Sequence, residues 1–425
     1  MENNLNGSDE ISGLPDALLT HILSFLNPRE AIQTCLLSKR WRTTWTSVPV
    51  LRFDYKELVP YFMEEWQDEN QVKFVKFVKG VMQNRERLSL DTFEFLFNVW
   101  NKHLCNHADL LSTECILLGL ELKPRVFSVC ASMQAIWGCS EQIFTCSSLQ
   151  SVTLNIKSVC DIFDEFLEPR AISLPHLKIL KLDSARVNDN FFNMLFSSCP
   201  VLEELQLCFC CLHVSLVSSE TLMSLVLKHC NIEKKLVISS PNLVHLDIDN
   251  GTCDTNISLQ NMASLVDARI QCSYLYVNDT LESSNRGLNV HKVTGVEATN
   301  CSDFKILKSL QIRCSDLRIL FNSITFFLKK SPNIKKLSLE VPQQLHEMST
   351  EEEWRYARSS YVECADALLN REYLELVLIT DLRSTTEERF RKLVDELYLL
   401  AKLRKIRFIV FVRCTSNYYY LRNRF

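Results

Sequence analysis

The chain of 425 residues carries 47 Lys and Arg against 51 Asp and Glu, a net charge of −4, and is 47% hydrophobic and 23% charged. A chain this long exceeds one compact core and reads as two or more domains or an elongated repeat array, and its composition is that of a folded protein rather than a disordered one. The near balance of charge argues against nucleic acid as the main partner, and no apolar run approaches the roughly 18 residues of a membrane span.

Only eight glycines are present, at 7, 13, 80, 119, 138, 251, 287 and 295. Their spacing rules out G-x-G-x-x-G, G-x-S-x-G and G-x-x-x-x-G-K, the dinucleotide, hydrolase-elbow and phosphate-loop patterns. H-E-x-x-H is missing as well, so no catalytic or metal-ligating residue is assigned and no cofactor is expected. The opening Met1-Glu-Asn-Asn-Leu5 lacks a basic and apolar leader, which places the protein in the cytoplasm or nucleus. Residues 1–9 read as a disordered start.

From residue 10 the apolar residues crowd at helical spacing. Leu18, Leu19, Ile22, Leu23, Phe25 and Leu26 form one stripe, with Pro15 where a first-turn proline is tolerated. Ala31, Ile32, Cys35 and Leu36 form a second, and a third short segment ends in Trp41 and Trp45. Three short helices cannot bury this much apolar surface among themselves, so a helical partner is expected to cover part of it. Next, Lys73, Lys76 and Lys79 alternate with Phe74, Val75, Phe77 and Val78. A basic membrane-surface helix has this pattern, but a linker helix packed under its own fold is preferred because the chain runs on directly into the repeats.

Aligned leucines then organise most of the chain. Leu149-x-x-Val152-x-Leu154 is followed by Leu177, Leu202, Leu222, Leu243, Leu265, Leu307 and Ile334 at the head of the same pattern. The steps are 28, 25, 20, 21, 22, 42 and 27 residues. Because 42 is twice 21, a degenerate repeat is expected between 265 and 307. A period of 20 to 29 is that of leucine-rich repeats, whose x-L-x-L core is a short strand stacked on the next at about 4.8 Å. Ile116 to Leu122 reads as an earlier, divergent strand.

Exposed strand positions of such an array form its binding surface. Here they include Glu203, Glu204, Gln206, His245, Asp247, Asp267 and Arg269, taken as target-binding candidates, together with Lys178, Lys181, Lys335 and Lys336. Residues 341–360 are polar and read as a loop or insertion. Two strand-like runs, 373–379 and 405–410, flank a helical stretch at 387–403.

The 18 cysteines read as reduced thiols, since no leader directs the chain to an oxidising compartment. A zinc site built from Cys208, Cys211, His213, His229 and Cys230 would need a second matching pair. Cys210 and Cys230 instead fall at the repeat's small buried position, and metal is not expected.

These residues resemble plant F-box/leucine-rich-repeat proteins. The resemblance runs from Ile11 to Phe53 through Leu14-Pro15-Asp16, Ile22-Leu23-Ser24-Phe25-Leu26, Leu37-Ser38-Lys39-Arg40-Trp41-Arg42 and Val48-Pro49-x-Leu51-x-Phe53. It continues in repeat phrases such as Cys199-Pro-Val-Leu-Glu-Glu-Leu205. It implies an α/β fold: a three-helix F-box at 10–53, a linker helix region at 54–88, a repeat solenoid with a curved parallel sheet at 89–345, and further repeats or a cap, similar to the FBD module, at 346–425. It also implies a non-catalytic substrate-recognition subunit docking on the Skp-family adaptor of a cullin–RING ubiquitin ligase and binding a target protein. By position, the adaptor contacts are Leu14, Pro15, Leu18, Ile22, Leu23, Leu36, Leu37, Lys39 and Trp41. Asn27-Pro28-Arg29-Glu30 departs from the family pattern and reads as loop chemistry. Two alternatives are an interaction scaffold without ligase duty and a small-molecule-dependent receptor.

Overall fold

The computed structural model describes residues 11, 13–58, 68–97, 106–157, 165–250, 257–272, 296–297, 304–314, 317–341, 351–369, 371, 374–380, 392, 395–396, 399, 407–414 and 417–420. The chain divides into two compact units, residues 1–185 with 193–202, and residues 186–192 with 203–425. Each is taken by itself.

The first unit opens with α1 (Asp16–Leu23), α2 (Pro28–Gln33), a 3-10 turn at Thr34–Leu36, and α3 (Trp41–Thr44). The segment read as a loop at Asn27 is the start of α2. The Asn27 side chain accepts from Glu30 N–H, Glu30 answers to Asn27 N–H, and Pro28 takes the first helical position. This reciprocal cap satisfies donors that a helix start leaves unpaired. Leu19, Leu23, Ala31, Trp41 and Val48 form the buried core of the helices, with Leu14, Leu26 and Trp45 packed against it.

The chain then enters a parallel sheet of five strands in sequence order: β1 (Val50–Asp54), β2 (Thr92–Leu96), β3 (Val126–Ser132), β4 (Ser151–Lys157) and β5 (Ile179–Asp183). Between them lie α4 (Tyr55–Leu58), α5 (Asp68–Asn84), α6 (Asn106–Glu121), α7 (Met133–Trp137) and α8 (Ser140–Thr145). Ile116 to Glu121 is therefore part of a helix, not a strand. The run Ile-Leu-Leu-Gly-Leu satisfies both periods, and the helical stretch ahead of it decides the outcome. Strands β1, β2 and β3 are built on Leu51, Phe53, Phe93, Phe95, Phe127 and Val129, which are buried. Phe93 stacks on Phe127 with centroids 5.6 Å apart, and Phe74 of α5 stacks on Phe97 at 5.7 Å. The apolar face of α5 is thus spent inside the fold, while Lys79 pairs with Glu114 at 2.6 Å.

The second unit takes up β6 (Arg186–Asn188) and the start of α9 (Asp189–Ser198). Its main sheet orders β7 (Glu204–Cys208), β10 (Ser224–Lys228), β13 (His245–Asn250), β15 (Asp267–Cys272), β17 (Ser309–Cys314), β18 (Lys336–Val341), β19 (Glu375–Thr380) and β20 (Arg407–Cys414), all parallel. The final β21 (Asn417–Tyr420) is antiparallel to β20. Small sheets close the repeats: β6 with β8 (Cys211–His213) and β11 (Asn231–Ile232), and β9 (Leu216–Ser218) with β12 (Leu236–Ser239), β14 (Ile257–Gln260) and β16 (Val296–Glu297).

The expected degenerate repeat adds no strand to the main sheet, because β15 pairs directly with β17. The long step of 42 residues therefore advances the main sheet by one strand. Helix α10 (Leu317–Lys330) and helix α11 (Glu351–Leu369) follow β17 and β18. Much of the polar stretch read as a loop is therefore helix. Tyr361, Cys364, Ala365 and Leu368 line its buried face, and Phe321 of α10 meets Tyr361 at 5.4 Å. Most of the stretch read as helical at 387–403 lies outside the described residues.

The turns show why the repeats run with so little glycine. Ser184, Phe209 and His229, each directly after a main-sheet strand, have φ of 60°, 51° and 51°. The next residue, Ala185, Cys210 or Cys230, is small and buried. The left-handed turn is held by this burial and by the ladder, at a cost of about 1 kcal/mol per non-glycine residue.

Candidate protein-docking surfaces

Two surfaces carry the residues singled out in the sequence. On the N-terminal helices, Leu18, Ile22 and Phe25 recur along α1 and its end, and all three are exposed, Phe25 at 73%. Spacings of four and three put them on one helical stripe. Leu36 and Leu37, in and after the 3-10 turn, are exposed at 85% and 70%. Five large apolar side chains on about 20 residues is far more than scattered surface hydrophobics account for.

The nine adaptor candidates separate into two groups. Pro15, Leu18, Ile22, Leu36, Leu37 and Lys39 face solvent, and Leu14 is half-buried against the core. Leu23 and Trp41 are 1% and 4% exposed. They build the helical core from behind and do not face a partner in this chain, because their side chains already fill its interior. Phe25 and the exposed Ile11 belong to the apolar surface without having been picked out. The signal for Phe25 was present in the same stripe.

The helices are bolted to the first strands. The Arg85 side chain is buried and donates to Val48 O (3.2 Å) and Glu86 O (3.1 Å). Glu86 N–H donates to Thr46 O (3.1 Å), and Asp91 N–H to Pro49 O (2.8 Å). Burial pushes the guanidinium pKa down to about 10, so it is still charged at neutral pH. The pattern Val48-Pro49-x-Leu51-x-Phe53 thus ends as β1, the first strand of the sheet.

The second surface is the solvent side of the main sheet in the second unit. Glu204, Ser224, His245 and Asp267 stand in one register row, and Gln206, Val226, Asp247 and Arg269 in the next. The seven target candidates are therefore gathered on three strands and their leading edge, with Val226 among them. Several polar side chains pair with each other across strands. Lys228 meets Asp247 at 3.4 Å, His229 meets Asp249 at 3.8 Å, Arg313 meets Glu340 at 3.6 Å, and Arg407 meets Glu375 at 3.2 Å. Most of these pairs are partly exposed, with Glu340 buried, and the exposed ones contribute up to about 1 kcal/mol each. Among the cysteines, Cys210 Sγ donates to Cys208 O and Cys230 Sγ to Leu207 O. Both thiols are buried at the small position of the repeat. Among the described residues no helix is long and apolar enough to cross a membrane.

Comparison with known proteins agrees with this layout. Residues 11–53 match the F-box domain, and residues 126–339 match the leucine-rich repeats of the FBD-associated F-box protein At5g56370. The chain is 27% identical over 384 residues to the F-box/LRR-repeat protein At3g58980 of Arabidopsis thaliana, covering 80% of this chain and 60% of that protein, less than two thirds of its length. It is 29% identical over 364 residues to the putative FBD-associated F-box protein At5g56390 of the same plant, covering 81% of this chain and 79% of the relative. A third, the FBD-associated F-box protein At5g60610, is 28% identical over 85% of this chain and 91% of its own length. With half of its residues in the repeat match and the F-box ahead of them, the chain belongs to the F-box proteins with FBD-associated leucine-rich repeats.

Proposed function

We propose that this protein is the substrate-recognition subunit of a Skp–cullin–F-box ubiquitin ligase. The carrying observation is the exposed apolar set Leu18, Ile22, Phe25, Leu36 and Leu37 within the F-box match. A soluble adaptor with its own apolar helices would cover it, each fully buried side chain contributing about 1.5–3 kcal/mol. Pro15 and Lys39 lie at the edge of that contact. Leu14, Leu23 and Trp41 hold its shape.

In this reading the chain performs no bond chemistry. The sheet of the second unit binds the target, and the F-box holds it in the ligase. Linking the two sites raises the local concentration of target at the conjugating enzyme, an effect that reaches about 10² to 10⁴ without new contacts. Within the first unit, the Arg85 and Glu86 hydrogen bonds to residues 46 and 48 tie the adaptor-facing helices to the first strands.

The test is capture of a purified Skp-family adaptor by the full-length chain. Wild type is expected to bind, and Leu36→Asp with Leu37→Asp to lose binding while its circular dichroism is unchanged. A well-folded wild type that fails to capture the adaptor would overturn the proposal.

A further inference from the structure

The main-sheet ladder of the second unit begins one residue before the strands. Met223 N–H donates to Glu203 O (2.8 Å), Val244 to Met223 (2.8 Å), Val266 to Val244 (3.0 Å), Lys308 to Val266 (2.9 Å) and Lys335 to Lys308 (2.8 Å). Lys336 N–H also reaches Lys308 O at 2.9 Å. Read across neighbouring strands, this leading edge is therefore Glu203, Met223, Val244, Val266, Lys308 and Lys335. One end is acidic, with Glu204 beside Glu203, the centre is apolar, and the other end is basic. At about 4.8 Å per strand its six positions span about 24 Å.

The basic end differs from the rest of the face. Lys308, Lys335 and Lys336 are exposed and form no ion pair among the described residues. Two carboxylates on the neighbouring described strands are already paired. Glu375, in register with Lys336, pairs with Arg407, and Glu340 pairs with Arg313. The three like charges stand on two adjacent strands about 4.8 Å apart, a spacing shorter than the Debye length of about 8–10 Å, so an anion laid along this edge meets their summed field. Lysines act as separate point charges and lack the planar fork with which arginine clamps a single phosphate. Strung along an edge, they suit a row of carboxylates. Met223, 47% exposed, and the half-buried Val244 and Val266 lie directly alongside, and only a ligand with apolar side chains uses both halves.

We propose that this edge is the track on which an extended segment of the target polypeptide docks. Two or three of its apolar side chains sit over Met223, Val244 and Val266, and a run of Asp or Glu lies over Lys308, Lys335 and Lys336. The two groups are two to three strand steps apart, or about three to four residues of extended chain. This deepens the reading of the chain as a target receptor and rests on it.

Fluorescence anisotropy of the full chain tests the track with two labelled peptides of about 12 residues, both carrying Leu-Val-Leu, one followed by four Glu and the other by four Lys. The acidic peptide is expected to bind, and more weakly as salt rises from about 50 to 200 mM. Lys308→Glu with Lys335→Glu and Lys336→Glu is expected to weaken it at least about tenfold, and Met223→Asp to weaken it as well. The reversal Lys56→Glu with Lys73→Glu and Lys76→Glu makes the same change in net charge elsewhere and is expected to have no effect. Equal binding of the lysine peptide, or unchanged affinity in the Lys308 triple variant, overturns the proposal. Adaptor capture by that triple variant is read in parallel. Its retention shows an intact F-box, a circular dichroism spectrum equal to that of wild type shows an intact sheet in the second unit, and absence of capture already in wild type would count against the ligase assignment alone.

Discussion

The ring of Phe93 in β2 occupies the place where a side chain on Gly119 of α6 would begin, its nearest carbon 2.5 Å from that position. Phe93 cannot yield, because it is fully buried and stacked on Phe127. Gly119→Ala is therefore expected to lower stability by about 1–3 kcal/mol through overpacking, although alanine is the better helix former. Gly80→Ala on α5, where nothing lies within 4 Å, is expected to raise it by about 0.5–1 kcal/mol. Urea titrations of the two variants check the opposite signs.

Trp41 and Leu36 are separated by five positions and have opposite fates. Trp41→Ala empties the helical core and is expected to cost about 3–5 kcal/mol, seen as early loss of the N-terminal helices in hydrogen exchange. Leu36→Asp is expected to leave that protection intact and abolish adaptor capture. Equal protection in the two variants would contradict the buried placement of Trp41.

Lys123 closes α6 with φ of 50°, its N–H donating to Leu120 O at 2.9 Å. Its side chain is exposed. Lys123→Gly is expected to stabilise the chain by about 1 kcal/mol, because glycine takes the left-handed position beyond a helix without the Cβ clash. A denaturation midpoint at or below that of wild type would contradict this.

Burial raises the pKa of Asp189, and the N–H and hydroxyl of Ser215, at 2.7 and 2.8 Å, together with Lys234 at 3.1 Å, outweigh it and hold the carboxyl below its ordinary value. A depressed carboxylate contributes stability that is full above the unfolded value of about 3.9 and is lost as pH falls through the folded value. Asp189→Asn is expected to lower the melting temperature at pH 7 and to close the gap with wild type below about pH 4. A gap independent of pH would show that charge plays no part.

The period-21 leucines and the stripe from Leu18 to Leu26 made the solenoid, its eight regular strands and the apolar N-terminal helices legible, because burial on one face of a strand or helix is a local pattern. The capping box at Asn27 is equally local, since Asn27 and Glu30 stand three apart with Pro28 at the first helical position, a place where proline starts a helix as readily as it marks a loop. The three strands ahead of the regular repeats were harder. Phe93-x-Phe95 and Phe127-x-Val129 lack the leucine signature, and Ile116 to Leu120 imitates a strand until it is seen packing as α6.

What the sequence by itself determined was the composition of each face: which residues are apolar, at what period, and hence the class of fold and the F-box. Only the tertiary structure decided which apolar residues remain outside. Leu23 and Leu36 look alike in sequence, but the core formed with Ala31, Trp41 and Val48 closes over one and leaves the other exposed. The same holds for charge. Glu340, Glu375 and Lys336 look alike in the sequence, each a charged residue in a strand. Register gave the two carboxylates to arginines and left the lysine with no carboxylate among the described residues, because cross-strand pairing joins residues that are distant in the chain.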